Sequence, residues 1–429
     1  MCVAVREDSK MFQYSTIPNL RHLRMVQVIG QVGGVSSAAR VLATSQPAVT
    51  QAVANLEADV GAPIFERCAT GTYPTELGHN YLRRIDRFFD ILDRALAQTT
   101  GYIENSSRPA PQADRLMTGT QMRSLMVTCE QGRVSEIAQD LGLSPSSLFR
   151  SARSLERALE RNLFDRTAQG PIPNRTGITL AREFRRAARE LDLARGEALM
   201  AGGTESLELV VGALPMAGSH ELACATRAFL ADHPAVKVKL VSGEYHKLLD
   251  DLSNSRIDMI FGILRKPEWA SDVSEEIMFR DSYCMVARPG HPLTLLDVVT
   301  PADLAAYDWA VPAKGTPRRR RIERIFDSAG IVRGFNIETS SLTMSKVLLQ
   351  SSDTITLLTR SEVQLDLDLG ILVDLPCPFL DDILPKGITT RADWLPTAAH
   401  EAFLGCLREI TGQTRHDRIR QGRGIRLAS

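Results

Sequence analysis

The chain has 429 residues, 44% of them hydrophobic, and its 51 lysines and arginines cancel its 51 aspartates and glutamates. That length holds three domains with cores of their own, and the zero balance excludes a globally basic nucleic-acid binder, so any DNA-binding surface must come from local asymmetry. Seven scattered cysteines without a Cys-x-x-Cys pair argue against a disulfide framework or a metal site, and residues 1–10 lack the apolar core of a signal peptide, which with no bilayer-length stretch predicts a cytoplasmic protein without a membrane partner.

The first elements read as helix, short turn, helix. Ser36 is placed to cap a helix carrying Ala38, Ala39, Val41 and Leu42, Ala43 and Thr44 turn the chain, and Ser45 caps a second helix with Pro47 in its first turn, where a missing N–H is harmless. Helices joined by so short a turn form a helix-turn-helix. Val49, Val53, Leu56 and Val60 recur at helical spacing and face a core, which leaves Gln46, Thr50, Gln51 and Ala54 outside. Gln and Thr are neutral hydrogen-bonding groups suited to base edges in the major groove, and Ala54 admits a thymine methyl. A solvated helix face is the ordinary alternative, but cap, turn and reading face occur here in the order a DNA reader requires.

An amphipathic helix comes next, with Leu82, Ile85, Phe89, Leu92 and Leu96 spaced as a coiled-coil seam. This stripe predicts chain-to-chain dimerisation; packing against the chain's own domains is the alternative. Residues 99–112, with Gly101, Asn105, Ser106, Ser107, Pro109 and Pro111, read as a flexible linker that lets the next domain sit apart.

Beyond the linker the same pattern returns. At an offset of 99 positions (Glu57 to Glu156), Ser36, Ala39, Leu42, Ser45, Leu56, Phe65, Arg67, Gly71, Pro74 and Gly78 fall without a gap on Ser135, Ala138, Leu141, Ser144, Leu155, Phe164, Arg166, Gly170, Pro173 and Gly177. Chance rarely repeats apolar positions, glycines and caps together, so the match marks a duplicated module. Its outer face differs: Pro145, Ser146, Phe149 and Arg150, with Phe149 in place of Thr50. Phenylalanine suits a thymine methyl or a protein interface, so DNA contact and a structural or partner-binding role both stand. Arg150, Arg153, Arg157, Arg161 and Arg166 keep the copy basic, which suits phosphate. Leu180, Phe184, Ala187, Leu191, Ala194 and Ala198 form a second, thinner seam.

From residue 207 strands and helices alternate: strands at 207–212, 236–241 and 257–262, helices at 221–231 and 245–253, predicting an α/β sheet that is largely parallel. Residues 214–219 open a helix whose free N–H groups suit an anion, with Ser219 adding a hydroxyl. Lys314, Gly315 and Thr316 form a polar loop, and Ser340 and Ser341 precede another helix; turn chemistry and capping explain each singly. Arg318 to Arg321 read as a solvated helix face and residues 415–426 as a disordered basic tail. Cys68, near the first wing, is either a redox sensor or structural. No phosphate loop, nucleophile motif or catalytic constellation is visible, so no cofactor is implied.

The run from Val35 through Gln46-Pro47 to Glu57, followed by Gly61, Ile64-Phe65-Glu66-Arg67 and Thr75-Glu76-Leu77-Gly78, closely resembles the winged helix-turn-helix of LysR-type transcriptional regulators. Residues 249–262, 286–293 and 341–358 resemble more weakly the effector domains of that family. The resemblance implies two α-rich winged helix-turn-helix domains followed by an α/β, periplasmic-binding-protein-like effector domain of two subdomains, divided as 16–98, linker 99–112, 113–200, 205–411 and a tail at 412–429. It implies DNA contact by Ser45, Gln46, Pro47, Thr50, Gln51 and Arg67 and, through the copy, by Ser146, Phe149, Arg150 and Arg166. Gln51 stands where the family often has arginine. A cleft site for a small-molecule effector, an anion among the suitable classes, would draw on Pro215, Ser219, Lys314, Gly315, Thr316, Ser340 and Ser341. The expected protein is a ligand-responsive regulator binding double-stranded DNA as a homodimer or homotetramer. A DNA-architectural protein with tandem modules and a small-molecule receptor or enzyme are the alternatives.

Overall fold

The computed structural model describes residues 17–68, 71–102, 110–130, 132–168, 170–203, 207–214, 218–265 and 272–424. They fall into two compact units, one running to Glu208 and including Ser253–Ser255, the other comprising Leu209–Leu252 and the chain from Arg256 onward.

In the first unit, Asn19 caps α1 (Leu20–Val32), and α2 (Val35–Val41) and α3 (Gln46–Val60) follow, then the hairpin strands β1 (Phe65–Cys68) and β2 (Gly71–Pro74) and the long α4 (Glu76–Thr100). After a short α5 (Ala113–Leu116) the order recurs as α6 (Gly119–Thr128), α7 (Val134–Asp140), α8 (Pro145–Leu159), β3 (Phe164–Thr167), β4 (Gly170–Pro173) and α9 (Arg175–Ala201). Ser36 does not cap α2. Gly33 turns with φ 73° and Gly34 is extended, so the helix restarts at Val35 and Ser36 falls inside its first turn. Ser45 and Ser144 do cap, accepting from the backbone N–H of Ala48 at 3.4 Å and of Ser147 at 3.2 Å. The turn between the helices uses a left-handed residue in both copies, Ala43 at φ 50° and Gly142 at φ 65°; the alanine holds a conformation that glycine takes without strain.

The repeated glutamates and glycines join each hairpin to its helices. Glu57 Oε1 accepts from the N–H groups of Ile64 (2.8 Å) and Phe65 (3.1 Å), and Glu156 Oε1 from those of Leu163 (2.7 Å) and Phe164 (3.1 Å). Behind them, Gly78 and Gly177 let the start of α4 and of α9 lie against the strand entrance. A Cβ there would stand 2.0 Å from the Ile64 carbonyl oxygen and 2.3 Å from that of Leu163.

The apolar stripe of α4 does not wait for a second chain. Leu82, Ile85, Phe89, Leu92 and Leu96 are all buried, in one core that also takes in Leu180, Phe184, Ala187, Leu191, Ala194 and Ala198 of α9. The two long helices pack against each other within the chain. Residues 99–112 therefore do not leave the second half free: both halves share this core within one unit. Spacing reveals a seam but not its partner, and here the duplicated sequence supplies that partner in the same chain.

In the second unit, β5 (Glu208–Ala213), α10 (Ser219–Asp232), β6 (Lys237–Ser242), α11 (Tyr245–Ser253) and β7 (Met259–Ile263) alternate as their sequence predicts. The sheet is not largely parallel, however. Its order is β11-β8-β13-β7-β5-β6, with β12 also on β8; β5 runs parallel to β7, but β13 runs antiparallel to β7 and β8, as do β11 and β12 to β8. The cause is β13 (Ile383–Arg391), which returns late in the chain and inserts between β7 and the fifteen-residue β8 (Val273–Ala287). A smaller parallel pair, β9 (Ala310–Val311) and β10 (Ile337–Glu338), lies among α12 (Pro301–Ala305), α13 (Pro317–Asp327), α14 (Leu342–Ser351), β11 (Thr356–Thr359), α15 (Arg360–Asp368) and β12 (Val373–Leu375). The final helix, α16 (Ala398–Gly424), continues through most of the stretch expected to be a disordered tail.

Candidate nucleic-acid interface and effector site

The capped start of α3 sets its outer face. Ser45, Gln46, Pro47, Gln51 and Ala54 are exposed and Thr50 is half-buried, while Val49, Ala52, Leu56 and Val60 turn inward. Gln51 Nε2 donates to Asn55 Oδ1 at 2.8 Å, so a neighbour one turn on orients its amide. Arg67 is exposed on β1, opposite Thr72 across the hairpin. The outer face of α3 and the strand carrying Arg67 thus belong to one element group, tied together by Glu57.

The equivalent face of α8 differs in charge and in availability. Ser146 is exposed but its hydroxyl lies 3.0 Å from Ser144 Oγ, inside the cap. Phe149 is half-buried, not a free aromatic; it packs against the core and edge-on to Phe164, with centroids 6.0 Å apart. Arg150, Arg153 and Arg157 are exposed and, with Phe149 and Pro171, line a groove of about 590 Å³ beside the hairpin. Arg166 is exposed on β3. Arg161 is used differently from the phosphate contact its sequence suggests: its guanidinium donates to the carbonyls of Thr99 (3.1 Å) and Thr100 (2.9 Å), satisfying the end of α4.

In the second unit, β9 and β10 lie side by side and parallel, so the loops that leave them share an edge. Lys314, Gly315 and Thr316 come after one strand and Ser340 and Ser341 after the other; all but half-buried Thr316 are exposed. Thr316 Oγ1 accepts from Arg319 N–H (3.3 Å) and Ser341 Oγ from Met344 N–H (3.2 Å), so both hydroxyls serve as helix caps. Ser219 opens α10 behind left-handed Gly218, at the end of β5 in the larger sheet. Pro215 lies outside the described residues. Apart from exposed Arg320, the run Arg318 to Arg321 is not a solvated face: Arg318 Nη2 meets both oxygens of Glu362 (2.8 and 2.9 Å), Arg319 reaches Glu323 (2.8 Å) and Arg321 reaches Asp382 (2.5 Å).

Sequence reasoning misses the buried charges beside that run. Lys386, fully buried on β13, donates to Thr359 Oγ1 (2.8 Å) and Ser361 Oγ (2.6 Å) and pairs with Asp281 (2.8 Å) on β8, while Glu362 accepts from Thr359 N–H at 2.5 Å. Such a network specifies one arrangement of the crossing strands and α15, since breaking either ion pair would strand a charge away from water. Only the Thr-x-x-Glu spacing, Thr359 to Glu362, signals any of it.

Among the described residues no cluster of metal-ligating side chains occurs, and no helix is long and apolar enough to cross a membrane. Cys68 is exposed and unpaired on β1; burial pushes the Cys129 thiol up to about 12.

A helix-turn-helix followed by an α/β unit defines a DNA-binding regulator with a ligand-binding module. The family model described as "Bacterial regulatory helix-turn-helix protein, lysR family" matches residues 20–79 and again 120–178, and "LysR substrate binding domain" matches 202–411. The chain belongs to the LysR-type transcriptional regulators. It is 29% identical over 395 residues to the HTH-type transcriptional regulator GalR of Pseudomonas putida, covering 92% of this chain and 98% of that one. It is 26% identical over 293 residues to the HTH-type transcriptional regulator PcaQ of Agrobacterium fabrum, covering 68% of this chain and 94% of that one. A full-length OxyR structure from Pseudomonas aeruginosa, 18% identical with a TM-score of 0.50, covers 68% of this chain and 93% of that one and bears on the fold alone. These relatives are regulators, and the reading as an enzyme falls away.

Proposed function

We propose that the chain is a ligand-responsive, sequence-specific regulator in which residues 16–98 and 113–200 are two winged helix-turn-helix domains and residues 205–411 a periplasmic-binding-protein-like effector domain of two subdomains. The observation that carries this reading is the capped α3 with Gln46, Thr50 and Gln51 outward and Arg67 beside them on the hairpin. The second domain is supported by the recurrence of every element at the 99-residue offset and by the match of the helix-turn-helix family to both segments. The two relatives agree with it: nearly all of each is matched, yet over 395 residues in one and 293 in the other, a difference of 102 that is close to one repeat. In the effector domain, the shared edge carrying Lys314, Thr316 and Ser341, with Ser219 at a helix start, suits a small ligand with hydroxyl or anionic groups.

Gln46 makes the test. Replacing it with alanine removes a base contact and no backbone interaction, so affinity for a cognate duplex falls by about 1 to 3 kcal/mol while affinity for a scrambled duplex stays nearly constant. Competition binding on the two duplexes measures both, and an equal loss on each would remove the assignment of α3 as the reader.

A further inference from the structure

The two long helices run antiparallel. Arg84, in the first half of α4 and fully buried, reaches Glu190 and Glu197 in the second half of α9, each at 2.9 Å, and Arg87 joins Glu190 at 3.1 Å. At the opposite end, Arg161, which follows α8 two residues before the Leu163 carbonyl that lies against Gly177 at the start of α9, holds the last carbonyls of α4. By the repeat offset, α4 corresponds to residues 175–199, so each helix's end meets the beginning of its own counterpart. Two copies related in this way approximate the two-fold, self-complementary contact of a dimer, made here within one chain around one core.

The approximate symmetry ends at the outer faces. Gln51, Ala54 and Ala58 of α3 become Arg150, Arg153 and Arg157 on α8, all exposed. One face offers neutral amides for base edges; the other offers three cations whose natural counter-group is phosphate. We propose that a single chain binds a composite DNA site of two unlike half-sites, α3 reading bases in one and α8 gripping the backbone of the other. The proposal rests on the reading of α3 as a DNA reader and adds which duplex that reader requires and how many chains hold it.

The test is selection by the full-length chain from a library of random duplexes, followed by footprinting and affinity across a salt series on the enriched duplex. Wild type enriches an asymmetric element, and Gln46→Ala blurs base preference in one half only. The triple variant Arg150→Ala, Arg153→Ala, Arg157→Ala keeps that preference, shortens the footprint on the other side and lowers the slope of log affinity against log salt by up to about 3, one unit for each phosphate released. Lysine at the same three positions restores the slope, which separates charge from folding. A palindrome in which Gln46→Ala blurs both halves equally would overturn the proposal while leaving α3 a reader, and so would a triple variant with unchanged slope and footprint. No enrichment by wild type would remove the DNA reading itself, and this proposal with it.

Discussion

Asp192 lies on α9 between Arg189 and Arg195; its Oδ2 is shut off from solvent and has no hydrogen-bond partner among the described residues. Burial pushes its carboxyl up to about 7, against the pull of both arginines. In the unfolded chain such a group titrates near about 4. The folded chain therefore holds the extra proton between those values, and the stability Asp192 contributes is present below about pH 4 and lost as pH rises through about 7. Asp192→Asn keeps the shape and removes the titration. Urea midpoints of the variant exceed those of wild type at pH 8, and the gap narrows as pH falls and closes only below about pH 4; a gap independent of pH would discard the account. Other residues show where a sequence stops being informative. Gln46 and Ser45 are legible because caps and neighbouring polar positions are local, whereas the partners of Arg318, Glu362 and Lys386 are brought together from distant segments. Arg161 looks like any other arginine of a basic run, and its bond to Thr100 depends on helix pairing.

At the scale of elements, the joint between hairpin and long helix depends on Gly78 and Gly177. The atoms a Cβ would strike are backbone carbonyl oxygens, which cannot rotate away as a side chain would. Gly78→Ala and Gly177→Ala each cost about 1 to 3 kcal/mol or more by forcing strand and helix apart. Gly405, in α16 with nothing within 4 Å, is the control: alanine there gains about 0.5 to 1 kcal/mol. Thermal melts of the three variants check this, and equal shifts in all three would show that the contact is not the cause. The glycines are visible as a repeat, but their reason is not, because nothing in spacing tells which carbonyl faces them. The sheet escapes sequence for a similar cause: local βαβ alternation describes β5, β6 and β7, while β13 enters from more than a hundred residues away and reverses the pairing. The stripe on α4 announces a helix pair correctly and its partner wrongly.

The whole molecule consists of two compact units with separate cores. Calorimetry of the full chain should resolve two transitions, one raised by duplex DNA and the other by an effector. A ligand at a hundred times its Kd adds about 2.7 kcal/mol to the unit that binds it and nothing to one that does not. One transition moved equally by both additions would show that the units unfold together. The in-chain pairing of α4 with α9 also bears on how such a regulator can change. In an assembly of identical chains every substitution arrives twice, once on each side, and an advantageous change to one reader is imposed on its mate. Here Arg84 and Glu190 belong to one gene product, and Phe149 stands where the other copy keeps Thr50. The two faces answer to separate codons, so each can change without altering the other.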